Sequence, residues 1–342
     1  MSRKLISKKA LGEWVDAMAG KQKVIGVQAK GDRFEFLPLR SAKDLRLDYD
    51  VTILPPKRFF QPATETLLTF DAAKGYAGVT GTEPFVLFGV HPYDLAAIRQ
   101  MDRIFSMENC DLHYGTRREK ATIVVVDPET ASANVFAGAM GTSHVAAGYD
   151  VLLTKIGDKY LVDAASANGE KLVAPLSGSP DAGAADIKQR DNIWKANEKK
   201  LLKHELKAAA KQWPELLKKG FDNALWEERA KLCFSCGSCN LVCPTCYCFD
   251  VRDEVDWSLG KGTRSRTWDG CMLASFATVA GGHNFRKSSA SRYRHRYLRK
   301  GSYVPAKLKG EIACVGCGRC IGACVAKIAN PVEVFNKLLE VK

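Results

Sequence analysis

Two stretches of this chain collect thiols at spacings that suit metal chemistry. Residues 233–248 read CFSCGSCNLVCPTCYC, six cysteines in sixteen positions, and residues 314–324 read CVGCGRCIGAC. Cys233, Cys236, Cys239 and Cys243 follow Cys-x2-Cys-x2-Cys-x3-Cys with Pro244 next, and Cys314, Cys317, Cys320 and Cys324 repeat the spacing without the proline. In such a run the first three thiolates hold one iron-sulfur cube, while the fourth points away and ligates the other. The repeat therefore predicts two 4Fe-4S clusters: cluster 1 on Cys233, Cys236, Cys239 and Cys324, and cluster 2 on Cys314, Cys317, Cys320 and Cys243. Gly237 and Gly318, each directly after a second cysteine, remove bulk where backbone must wrap a cube.

Zinc is the competing metal, because paired Cys-x2-Cys motifs also build zinc ribbons. It leaves the third cysteine and the Cys-x3-Cys step without a purpose. A dithiol reading of Cys243-Pro-Thr-Cys246 lacks the strand-to-helix context of a thioredoxin-like site. Four cysteines lie outside the pattern. Cys110 is expected to be buried packing. Cys246, Cys248 and Cys271, with His283, are candidates for an additional metal, although Cys-x-Cys spacing alone does not specify a site.

The elements that must position these thiols divide near residue 185. Residues 1–182 alternate short apolar runs with turn signals: KVIGVQA from Lys23, RFEFLPL from Arg33, PFVLFGV from Pro84, ATIVVVD from Ala121, and a hairpin turning at Gly157 and Asp158. Helices are expected at Lys8–Met18 and Asp94–Phe105, giving a mixed α/β (α+β) amino-terminal domain. Residues 177–186 read as a linker, 183–230 as a helical connector with Pro214 starting a new helix, and 231–342 as a ferredoxin-like dicluster domain. That domain carries a long insertion, about 249–310, expected to be helical at Gly270–Val279.

Composition narrows the class. The chain has 342 residues, 46% of them hydrophobic, enough to bury a sizeable core. Charges break up the basic amino terminus, and no apolar run approaches the roughly 20 residues of a membrane span, so the expectation is a cytoplasmic protein with no membrane span. Reduced thiols there signify metal or redox chemistry. The formal charge is +13, and Phe285–Gly310 holds nine Lys or Arg residues and no acid, interleaved with Tyr293, Tyr297 and Tyr303. Such a run fits RNA contact, counter-charge for an anionic cluster or docking to an acidic partner, or a solvated surface. No nucleic-acid motif accompanies it, so no nucleic-acid partner is expected; an iron-sulfur nucleic-acid-binding or redox-sensing protein is the alternative class.

CGSCNLVCPTCYCFDV, WDGCMLASFATVAGGHNFR from Trp268 and CVGCGRCIGAC resemble the beta subunits of soluble hydrogenase/sulfur reductase complexes. They are also similar to the iron-sulfur subunits of anaerobic sulfite reductase and of flavin oxidoreductases coupled to heterodisulfide reductase. ILPPKRFFQPATETLLTF, FGVHPYDLAAI, HYGTRRE and AMGTSH extend the likeness over nearly the whole chain. It implies an electron-transfer subunit beside a flavoprotein that binds NAD(P)H and a terminal hydrogenase, sulfur, sulfite or heterodisulfide reductase subunit. Relatives carry further cysteines where this chain has Tyr93, Val135 and Ala137. No dinucleotide fingerprint or phosphate loop is present; Gly75-x-x-Gly78-x-x-Gly81 has the wrong spacing, and His91 reads as a turn residue rather than a base. No catalytic residue is assigned: the expectation is a relay, not a catalyst.

Overall fold

The computed structural model describes residues 2–340. Eleven strands form two sheets among these residues: β1 (Arg3–Ser7), β2 (Lys23–Lys30), β3 (Arg33–Pro38), β4 (Thr64–Asp71), β5 (Gly75–Gly78), β6 (Phe85–Val90), β7 (Ala121–Val126), β8 (Val151–Ile156), β9 (Lys159–Ala164), β10 (Phe249–Val255) and β11 (Lys261–Trp268). The larger sheet runs β1-β9-β8-β7-β6-β2-β3. Its four central strands pair in parallel, and the pairs nearer the edges are antiparallel. Every residue of β6 is buried, because a central parallel strand is covered on both faces and so reads as a continuous apolar run. The hairpin at Gly157 forms as expected, with Gly157 at φ 61°.

The expected helices form at Lys8–Ala19 and Pro92–Phe105. The Ser7 hydroxyl caps the first by accepting from Ala10 N–H, and Pro92 opens the second at a position where a missing N–H costs nothing. The connector is less continuous than its charge pattern implies. Helices occupy Ala184–Lys200, Trp213–Lys219 and Leu225–Ala230, and Pro214 does sit in the first turn of the second. Between the first two, backbone N–H groups turn to other partners: Lys203 donates to Val135 O and Lys207 to the Asn336 side chain. Residues 180–182 are not a free linker; they pair along β1, through Leu5 N–H to Pro180 O and Ala182 N–H to Arg3 O.

The smaller sheet, β10-β11-β4-β5, is antiparallel throughout. It joins a hairpin from the insertion to one from the first third of the chain, so two segments nearly 200 residues apart share a sheet. Helix at Gly270–Val279 does not form. That segment holds only a short turn at Ser275–Ala277, because Met272 N–H is drawn to the Asn240 side chain and Gly281 and Gly282 take positive φ just beyond. The helix of the insertion lies later, at Ser289–Leu298.

Candidate metal centre

The two long motifs adopt the same local shape. Gly237 (φ 75°) and Gly318 (φ 76°) each cap a short helical turn, Ser238–Leu241 and Arg319–Ala323, in a backbone region that favours glycine. At Gly318 a Cβ would also lie 2.2 Å from Asn134 O, and at Gly316 2.7 Å from the Phe136 carbonyl. The glycines of the second motif thus admit the backbone of residues 134–137 rather than only the wrapped group.

Each turn delivers its thiols to a separate cavity. Cys233, Cys236, Cys239 and Cys324 line one; Cys243, Cys314, Cys317 and Cys320 line the other. In both, three thiols come from one motif and the fourth from its partner. Among the described residues, no three His, Cys, Asp or Glu side chains close on a point that would hold a single ion. The thiols instead line the walls of the two cavities.

The basic run supplies the surrounding charge. Arg292, Arg296 and Lys300 are buried, as are Tyr293 and Tyr297, so none of these is presented for phosphate contact or base stacking. Lys300 Nζ donates to Cys243 Sγ at 3.0 Å, to Thr245 Oγ1 at 3.0 Å and to Ala313 O at 3.2 Å. Burial opposes its charge, but the Cys243 and Cys246 sulfurs outweigh that and its pKa is raised. Arg292 donates to the Arg286 and Lys287 carbonyls and to Ser235 Oγ, bracing the first motif. Arg296 is 1% exposed, lines the second cavity, and has no hydrogen-bond partner on any guanidinium nitrogen. A buried guanidinium with unpaired donors is costly unless an anion completes it. Eight cysteines in two quartets, with a buried cation that lacks hydrogen-bond partners beside the second, fit two iron-sulfur clusters of net negative charge.

The second motif is tied to the amino-terminal half by charge. Arg319 Nη1 and Nη2 contact the Asp94 carboxylate at 2.6 and 2.7 Å, and Arg319 also donates to Thr52 O and Oγ1, each at 2.9 Å. Both charged side chains are buried, 2% and 0% exposed. Phe136 N–H donates to Gly316 O, and Thr142 Oγ1 to Val315 O. Neighbouring His91 is buried, stacks on Tyr49 at 3.9 Å and bonds Tyr93 Oη through Nδ1 at 2.6 Å. Burial holds it well below the usual imidazole range. Tyr93, Val135 and Ala137 pack together against Val315 and Cys317 in one apolar cluster.

The remaining candidates separate. Cys110 is exposed, contrary to the buried packing expected of it, because the chain around it is a turn leading into the Asp111 cap of the helix Leu112–Glu119. His283 is also exposed: the Gly281-Gly282 turn carries it outward, where it meets Phe285 edge to face. It does not line the cavity that Cys246, Cys248 and Cys271 share. Lys57 and Asn240 escaped the sequence reading. Lys57 Nζ donates to Cys246 O at 2.7 Å, and burial lowers its pKa; nothing in PPKRFF distinguishes it from a surface lysine. Asn240, 2% exposed, lies inside the first motif, and that position was the available signal.

Comparison with known proteins agrees with this geometry. Residues 232–328 match the 4Fe-4S dicluster domain family. Across 323 residues the chain is 33% identical to the sulfhydrogenase 2 beta subunit of Pyrococcus furiosus, covering 93% of this chain and 92% of that one. This chain belongs to the sulfhydrogenase beta-subunit family. As a member of that family it is an iron-sulfur electron-transfer subunit of an oxidoreductase. No solved structure matches it. No helix among the described residues is long and apolar enough to cross a membrane.

Proposed function

We propose that Cys233, Cys236, Cys239 and Cys324 hold one 4Fe-4S cluster, that Cys243, Cys314, Cys317 and Cys320 hold a second, and that the chain relays single electrons between a flavin- and NAD(P)H-binding subunit and a terminal redox subunit in the cytoplasm. The observation that carries this reading is the exchange of fourth thiols between two separate cavities. When bound, such clusters supply one-electron storage at potentials set by charge, hydrogen bonding and exposure.

The chain's own residues tune and aim that capacity. Lys300 and Arg296 place positive charge beside the second quartet, favouring its more reduced state. The Asp94–Arg319 pair holds the second motif against the larger sheet's domain. The first quartet lies near solvent: Cys236 is exposed, and Phe234 and Val325, both lining its cavity, are 72% and 74% exposed. That apolar rim around a thiol site suits electron exchange with a docked subunit.

Anaerobic purification of the tagged chain from its native host tests the reading. A flavoprotein copurifying at a constant ratio, and reducing the chain's iron-sulfur signals with NAD(P)H, is the expected result. Retained RNA with no redox partner would instead favour a nucleic-acid-binding or sensing role.

A further inference from the structure

Cys246, Cys248 and Cys271 belong to neither quartet, yet the fold brings them together. They line a cavity of their own with Asn240, Tyr247, Arg296, Arg299 and Lys300. The contacts of one side chain support the convergence. The Asn240 amide reaches both Cys271 Sγ at 3.5 Å and Cys246 Sγ at 3.7 Å, and Cys248, two positions after Cys246, lines the same cavity. Three cysteines from two segments 23 residues apart in sequence, Cys248 to Cys271, thus line one cavity, two of them within reach of one amide.

The surroundings restrict what the site takes. No carboxylate or imidazole lines the cavity, so a zinc ion would lack a fourth protein ligand. The lining cations number three: Arg296, Arg299 and Lys300. Lys57 adds a fourth cation outside the lining, bonded to Cys246 O with its ammonium 4.3 Å from the Trp268 ring centre. Arg296 has no hydrogen-bond partner and borders both this cavity and that of the second quartet. Thiolate donors in a concentration of positive charge call for an anionic, sulfur-rich group. A disulfide between two of these thiols would leave the third, and the four cations, unexplained.

We propose that Cys246, Cys248 and Cys271 hold a third iron-sulfur cluster, bound by three protein thiolates and adjacent to the second quartet. An amide donor on two of its sulfurs, from Asn240, and the shared Arg296 and Lys300 then act on it as second partners. The site goes beyond the two-cluster reading and does not depend on it. Three thiolates leave one corner of a 4Fe-4S core without a protein ligand, or suit a core of three irons.

The test is iron and acid-labile sulfide analysis of the full-length chain purified anaerobically, alongside Cys271→Ala and Cys248→Ala, with low-temperature electron paramagnetic resonance of each after dithionite reduction. The expected result is about 11 to 12 irons per chain in the unmodified protein and about 8 in both variants, with one signal lost and those of the two quartets retained. Retention of those eight irons shows that the variants fold. About eight irons in all three proteins overturns the third site and leaves the two-cluster reading intact. One zinc per chain, lost in Cys271→Ala, also overturns it.

Discussion

Removing either member of the Asp94–Arg319 pair should loosen the second cysteine motif from the domain that holds it. The two charges meet through two parallel contacts of 2.6 and 2.7 Å, and neither side chain is more than 2% exposed. At an effective dielectric of about 20 and roughly 4 Å between charge centres, their attraction is about 4 kcal/mol. Loss of one partner leaves the other charged in a dry site, which costs about 3–5 kcal/mol. In Asp94→Leu the guanidinium keeps only Thr52 O and Oγ1; in Arg319→Met the carboxylate keeps neither contact. The double variant Asp94→Leu/Arg319→Met removes both charges and should fall within about 1–2 kcal/mol of the unmodified protein, since apolar replacement of a buried pair is often neutral. Anaerobic urea unfolding followed by circular dichroism reads the effect as a midpoint lowered by about 1 M or more in each single variant and largely restored in the double. Single variants within about 1 kcal/mol of the unmodified protein, or a double variant worse than both singles, would refute the anchoring role.

Cys243→Ala should remove the signal of the cluster on Cys314, Cys317 and Cys320 and spare that of the Cys233 group, as resolved by electron paramagnetic resonance; loss of the other signal reverses the assignment. Arg296→Met should lower the potential of the second quartet's cluster in a redox titration, because a nearby positive charge no longer favours the reduced state, while stabilising the metal-free chain by deleting a buried cation without hydrogen-bond partners. Phe234→Ser combined with Val325→Ser should weaken subunit association without changing iron content, and unchanged association would exclude that rim as the docking face. His91 is neutral when folded because burial depresses its pKa, whereas the unfolded chain takes up a proton near pH ~6.5. Its contribution is therefore complete above that pH and is lost as pH falls toward the folded value, by about 1.4 kcal/mol per unit; His91→Gln should flatten the slope, and an identical slope would contradict it.

The sequence revealed local features more readily than long-range ones. The gathering of the eight motif cysteines around two cavities was legible because spacing along the chain dictates which thiols share a space, and the placement of Cys324 with the first motif and Cys243 with the second follows from the same spacing. Strands β2, β3, β6, β7, β8 and β9 were legible as apolar runs bounded by turn residues. β4 and β11 were not, because their alternation is blurred by threonine and arginine and their pairing joins segments nearly 200 residues apart. Gly270–Val279 has a helical apolar pattern, but tertiary contacts to Asn240 claim its backbone. The basic run illustrates the same limit: Arg294 faces Asp222 near the surface, whereas Arg296, two positions later, is buried among the thiols. Charge counting cannot separate two neighbours on one helix when only the packing partner differs. Nor could Cys-x-Cys spacing show that Cys271 returns to Cys246 and Cys248, since that convergence depends on Asn240 and on the turn after β11.

Electron flow through the intact complex tests the central claim most directly. Rapid mixing of the anaerobic complex with NAD(P)H, followed by freeze-quenching and electron paramagnetic resonance, should show the clusters of both quartets reduced within a single turnover, with Cys243→Ala slowing transfer to the terminal subunit while flavin reduction proceeds. Clusters that stay oxidised while turnover continues at an unchanged rate would contradict the relay.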